Sequence, residues 1–269
     1  MRLKDWALLA GAASGAMFTY GMLFESNRLV AERHLLRLPL WPSRLDGYRI
    51  AVLSDLHMRG IWSLRLTKRA VLMALEAEPN FIVLPGDFVD FWRDDSVEML
   101  SEALAPLAVM KGNAVAVPGN HDYFFNRSPE ALRSVLDPLG IPLLRNEVLV
   151  RDGVSWVGID SAIDEHCDPV RTMAQLTAGP AISVWHEPDL IRKLPVGCAL
   201  QISGHSHGGQ FRFPFGITPM HSHLGKEFDE GFYPETPTPL YVSRGVGTTG
   251  PPSRFLCPPE VSILTLSAG

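Results

Sequence analysis

Five times along this chain a short apolar run stops at an acid, an imidazole or an amide. The runs are "RIAVLSD" (49–55), "FIVLPGD" (81–87), "AVAVPGNHD" (114–122), "AISVWHEPD" (181–189) and "ALQISGHSH" (199–207). Segments with helical spacing lie between them at 63–78, 96–110 and 129–139. Ser128 caps the last of these and Pro129 stands at its first position. Alternation of strands and helices predicts an α/β fold. In α/β sheets, ligands bind at the carboxyl ends of the strands, and every one of the five polar endings falls there. Further strands are expected near 147–150 and 154–159. The last third, 210–266, is rich in glycine, proline and short β-like runs.

The polar endings supply Asp55 and His57, Asp87, Asn120 with His121 and Asp122, His186, and His205 with His207. Carboxylate and imidazole together suit Mn, Fe or Zn, whereas Mg and Ca prefer shells made of oxygen. Two cations held about 3.5–4 Å apart need a shared ligand, and this list fits two sites sharing Asp87. Residues two apart in an extended segment face the same way. Asp55 and His57 are therefore expected to meet on one ion, and His205 and His207 to do the same or to divide between two. Gly86, Gly119, Gly204, Gly208 and Gly209 flank these residues, as expected where backbone passes close to a charged centre. A lone D-x-H or H-x-H is weak, and "HSH" recurs at 221–223 in a proline-rich stretch with no strand leading into it. That second copy is read as a surface loop or a substrate-side wall. The ordered set of five is far more specific.

The order of blocks, D-x-H, G-D, G-N-H-[DE], a lone H and G-H-x-H, resembles the calcineurin-like metallophosphoesterase superfamily. The resemblance runs from residue 48 to the carboxyl terminus. "GHSHGGQ" (204–210), "SRGVG" (243–247) and "CPPEVSILTL" (257–266) look like a bacterial, membrane-associated subgroup. That subgroup includes phosphodiesterases and enzymes that cleave the pyrophosphate of UDP-2,3-diacylglucosamine. The resemblance implies a four-layer sandwich of two mixed β-sheets flanked by helices. It implies two divalent metal ions, Mn, Fe or Zn, which would shield the phosphate charge and activate water for hydrolysis. Asp55, His57, Asp87 and His207 would hold the first ion, and Asp87, Asn120, His186 and His205 the second. His121 would face the substrate and protonate the leaving oxygen, with Asp122 orienting its ring. Arg59, Arg127, Arg244 and Arg254 are candidates for holding a phosphorylated small molecule or lipid, although a solvated surface arginine is the default reading of each. A catalytically silent scaffold that binds a protein partner is the alternative function. It would be marked by lost ligands, and every signature position is filled. A metallo-β-lactamase-like hydrolase would need an H-x-H-x-D-H run, which this sequence lacks.

Outside this region, "WALLAGAASGAMFTYGMLF" (6–24) contains no charged residue. As a helix it would span roughly 28 Å, close to the hydrocarbon thickness of a bilayer. It is read as a membrane anchor within 1–24, joined by a proline-containing linker at 25–47 to a catalytic domain at 48–269. A cleaved signal peptide and a buried amphipathic helix are the alternatives, and no small-x-small cleavage site follows the run. Arg2 and Lys4 precede the run, whereas Arg28, Arg33, Arg37 and Arg44 follow it. That count places the body on the cytoplasmic side of a bacterial inner membrane, with export to the periplasm as the alternative. Net charge is −5 over 269 residues and the pI is about 6.0, so no nucleic-acid partner is expected. Cys167, Cys198 and Cys257 show neither a disulfide framework nor a zinc-finger spacing. Nothing in the sequence specifies an oligomer.

Overall fold

A computed structural model describes residues 2–126 and 128–269. The apolar runs form short strands buried on both faces, as expected of strands sandwiched between layers. In chain order the strands are β1 (Val30–Leu38), β2 (Tyr48–Val52), β3 (Phe81–Leu84), β4 (Ala114–Ala116), β5 (Glu147–Arg151) and β6 (Val154–Gly158). They continue with β7 (Ala181–Val184), β8 (Leu200–Ser203), β9 (Gly231–Tyr233), β10 (Leu240–Val242) and β11 (Glu260–Ala268). One sheet has the order β1-β11-β2-β3-β4 and the other β5-β6-β7-β8-β10-β9. Both are mixed: β11 runs antiparallel to β2, and β5 and β9 run antiparallel to their neighbours.

Side-chain alternation along the strands sorts the core into layers. Ile50, Val52, Phe81 and Val83 of the first sheet face Trp156, Ile182, Val184 and Leu200 of the second. At the centre of this interface the Phe81 and Trp156 rings stack with centroids 3.8 Å apart. Ala51, Leu53, Ile82 and Leu84 point the other way, onto the helices α2 (Ile61–Glu76) and α3 (Ser96–Leu104). The far face of the second sheet is covered by short helical turns carrying Met173, Ile191 and Leu194. The result is the expected four-layer α/β sandwich. Trp156→Ala empties the middle of the sheet–sheet interface. It is expected to cost about 3–5 kcal/mol in denaturant unfolding, a large share of the roughly 5–15 kcal/mol that stabilises a typical domain.

The expected linker at 25–47 is corrected by the structure. Val30–Leu38 forms β1, in parallel register with β11 from Val30↔Glu260 to Leu38↔Ala268. Its inward positions are Val30, Glu32, His34, Leu36 and Leu38, of which only the last two are buried and apolar. Glu32 instead pairs with Arg244 at 2.7 Å, and His34 lies against the Tyr241 ring at 5.2 Å. An ion pair and a ring contact thus replace the apolar stripe by which a strand is normally read. The folded body begins near Val30, not at residue 48.

The first helix, referred to below as the N-terminal helix, covers Leu3–Leu23 and is long and apolar enough to cross a membrane. Only 6% of its apolar window is buried, which overturns the buried-helix alternative. Its last turns are docked. Gly21 packs against Ser253 and Arg254, and Ser253 Oγ donates to the Phe18 carbonyl at 3.0 Å. Tyr20 Oη donates at 3.0 Å to the buried Glu25, and Arg69 donates to the Asn27 carbonyl at 3.1 Å, tying this end to α2.

Candidate active site

The loops that leave β2, β3, β4, β7 and β8 bring their polar residues together at one edge of the sandwich. The strands stop early, and the ligands lie beyond them. Asp55, His57, Asp87, His205 and His207 have φ of 52°, 42°, 55°, 72° and 54°. Asp55 and His57 therefore converge through left-handed turns, not along one face of an extended segment as the sequence suggested. Left-handed backbone at five non-glycine residues carries a conformational cost, of the kind that clusters at functional sites. Close approach explains the glycines. A Cβ on Gly204 would overlap Ser54 Oγ and Asp55 Oδ2, and one on Gly119 would overlap Asp87 Oδ1. Gly204→Ala is expected to cost about 1–3 kcal/mol through overpacking. It should also displace Asp55, so that thermal unfolding and metal content of the purified protein fall together.

Two ligand sets share one carboxylate. Asp55, His57, Asp87 and His207 form the first, and Asp87, His186 and His205 the second. In the first, His57 Nε2 lies 2.9 Å from His207 Nε2 and 3.4 Å from Asp87 Oδ2, and His207 Nε2 lies 3.4 Å from Asp55 Oδ1. In the second, His186 Nε2 lies 3.2 Å from both Asp87 Oδ2 and His205 Nδ1. Atoms bound at about 2.1 Å to a common cation stand about 3–4 Å apart, so these spacings fit a metal in each set. Asn120 supplies an independent sign. Its Oδ1 is buried and, among the described residues, has no hydrogen-bond partner, an expensive state unless the oxygen meets a cation.

Most of the ligand imidazoles are fixed through their other nitrogen, the usual way a metal-binding ring is oriented. His186 Nδ1 bonds the Pro85 carbonyl at 2.6 Å, and His205 Nε2 bonds the His223 carbonyl. His207 Nδ1 lies 3.4 Å from Arg254 Nη2, and His57 Nδ1 lies 3.4 Å from Asp90 Oδ1. Burial, followed by the charge of His186, pushes the His205 ring down to about 4. Burial and the charge of His57 hold His207 well below its ordinary range. Both rings therefore offer a neutral lone pair at pH 7, the form that binds a metal. Burial opposes charge on His57 as well, but Asp87 and Asp90 outweigh it and raise that ring to about 9. His186 is raised in the same way, chiefly by Asp87. Asp55 and Asp87 are both buried among these rings, and a divalent cation bound there would offset their charge.

Residues 48–209 match the calcineurin-like phosphoesterase family model. The chain belongs to this family. It is a metallophosphoesterase, 32% identical to the metallophosphoesterase YkuE of Bacillus subtilis over 97% of this chain and 94% of that one. The phosphodiesterase YaeI of Escherichia coli is 29% identical over 97% of this chain and 96% of its own length. The UDP-2,3-diacylglucosamine pyrophosphatase LpxG of Chlamydia muridarum is 28% identical over 89% and 90% respectively.

An open pocket of about 510 Å³ in this phosphoesterase is lined by Asp87, Asn120, His121, His205, His207 and Thr249, among others. His121 sits at its wall, but Asp122 does not orient the ring. The fully buried Asp122 carboxylate accepts the backbone N–H groups of Asp87, Phe88, Val89 and Gly119 at 2.8–3.3 Å. It ties the Asp87 loop to the Asn120 loop. The partner of His121 is Asp90, whose carbonyl lies 2.7 Å from Nδ1 and whose carboxylate oxygen lies 3.8 Å away. Asp90 went unnoticed in the sequence, although it stands three residues after Asp87 in "GDFVD".

The arginine candidates separate cleanly. Arg254 is fully buried and donates to the carbonyls of Arg244 and Gly247 at 2.8 and 2.6 Å. Arg244 is held by Glu32 and Glu260 at 2.7 Å each. Neither reaches the pocket. Arg59 lies at the site edge, 3.5 Å from Asp90 and bonded to Thr248, and Arg127 lies outside the described residues. The second "HSH" forms a wall, with Ser222 and His223 lining the pocket.

Proposed function

We propose that this phosphoesterase is a membrane-anchored hydrolase of phosphodiester or pyrophosphate bonds in lipid-linked substrates, working with two divalent ions. The observation that carries the reading is Asp87 Oδ2, which stands within 3.4 Å of His57 Nε2 on one side and 3.2 Å of His186 Nε2 on the other. Asp55, His57, Asp87 and His207 would hold one ion, and Asp87, Asn120, His186 and His205 the other. When bound, such a pair neutralises phosphoryl oxygens and lowers the pKa of water, so that a nucleophile exists near neutral pH.

The protein's own residues supply the rest. The Asp90 carbonyl holds Nδ1 of His121 at 2.7 Å and so turns Nε2 toward the pocket, where it is placed to pass a proton to the leaving oxygen. Thr249 Oγ1 lies 3.5 Å from that Nε2 and lines the pocket beside it. Asp122 holds the two ligand-bearing loops in register. The apolar N-terminal helix and the similarity to a phosphodiesterase and a lipid pyrophosphatase support a substrate presented at a membrane.

The test is the full-length protein loaded with Mn. Two ions per chain and hydrolysis of bis-p-nitrophenyl phosphate are expected, followed by loss of a phosphorylated lipid from a membrane extract tracked by mass spectrometry. Full metal loading without hydrolysis of any diester would sink the reading.

A further inference from the structure

A second cavity adjoins the metal centre, and nothing in the reaction described above uses it. It is a groove of about 360 Å³, the size of a small-ligand site, between the end of the N-terminal helix and the first turns of α2. Its apolar walls are Met22, Leu23, Ile61, Trp62, Leu66 and Pro252. Its inner end is formed by the metal-ligand residue His57 together with Arg59 and Thr248. Thr248 is followed directly by Thr249 of the catalytic pocket, so the two cavities share a partition.

We propose that this groove is a binding site for one hydrocarbon chain of a lipid substrate, running from the bilayer toward the metal centre. The inference rests on the phosphoester-hydrolase reading and deepens it. Three observations fix the chemistry of the occupant. First, one wall is the last turn of a helix long enough to cross a membrane, so the outer mouth opens where that helix leaves the bilayer. Second, the rim bears exposed apolar side chains. Trp62 is 69% exposed, Ile61 52% and Leu23 55%. Arg65 lies over the Trp62 ring at 5.6 Å, an aromatic–cation pairing suited to the lipid headgroup level. Third, polarity rises inward to Arg59, beside His57. An amphiphile with an anionic phosphoryl end and an apolar tail matches that gradient. Arg69 and Ser253 brace the helix end against the body, so the groove is held open by the fold.

The experiment uses alkyl p-nitrophenyl phosphate diesters with methyl, butyl and octyl groups, below their micellar concentrations, and the Mn-loaded full-length protein. kcat/KM is expected to rise with chain length by up to roughly 4-fold per buried methylene, the factor equivalent to about 0.8 kcal/mol. Ile61→Asp and Met22→Glu each place a carboxylate in the groove and should flatten the octyl-to-methyl ratio to near one. Each variant is read as its own ratio, so a general loss of folded protein cancels. Hydrolysis of every diester at the same rate would overturn the groove while leaving the phosphoesterase reading intact. Hydrolysis of none would overturn both. A length dependence unchanged in both variants would also overturn the groove.

Discussion

Asp87→Asn is expected to abolish turnover and to reduce bound metal from two ions per chain to one or fewer. One oxygen of Asp87 faces both ligand sets, and the other accepts the His121 N–H at 2.8 Å. Asparagine keeps the shape of the side chain but removes the negative charge that the two ions share. Loss of several kcal/mol of electrostatic stabilisation corresponds to a fall in kcat on the order of 10³-fold or more. Elemental analysis of the purified variant and assay with bis-p-nitrophenyl phosphate check both parts. Retention of two ions together with full activity would remove Asp87 from the centre of the site. Because the fully buried Asp122 still ties the neighbouring loops, unfolding temperature should change far less than activity.

His121→Ala should separate chemistry from metal binding. His121 Nδ1 is engaged by Asp90, and its backbone N–H by Asp87. Its ring belongs to neither of the ligand sets that share Asp87; it groups instead with His57 and Asp90. Deleting the ring is therefore expected to leave metal content unchanged while kcat falls by about 10²–10⁴-fold, the usual worth of a positioned proton donor. The loss should be greatest for substrates with poor leaving groups and smallest for p-nitrophenol, which departs without a proton. A uniform loss across leaving groups would instead make His121 a charge stabiliser of the phosphoryl oxygens.

The strand ends were legible because burial on both faces leaves a continuous apolar run, and the ligands interrupt it. The five polar endings are accordingly gathered at one edge. What the sequence hid were features whose signals are local or borrowed. The strand β1 escaped because its inner face carries Glu32, paired with Arg244, and His34, packed on the Tyr241 ring. The turns at Asp55, His57 and Asp87 have positive φ without glycine, and no residue type announces them. Asp122 was given the orienting role that Asp90 holds, because it adjoins His121 in the sequence, whereas Asp90 meets the ring only in the fold. Only the partners of their hydrogen bonds tell them apart, the His121 ring for Asp90 and backbone N–H groups for Asp122.

The place of β11 has a consequence during synthesis. It lies between β1 and β2, joining Glu260 to Val30 on one side and Ser262 to Val52 on the other. An interior strand of the first sheet is thus made after every other strand of the fold. At about 5–20 residues per second, β1 waits on the order of ten seconds or longer for its partner. Until β11 docks, the facing edges of β1 and β2 stay unpaired, so the first sheet closes only after every other strand of the fold has been made.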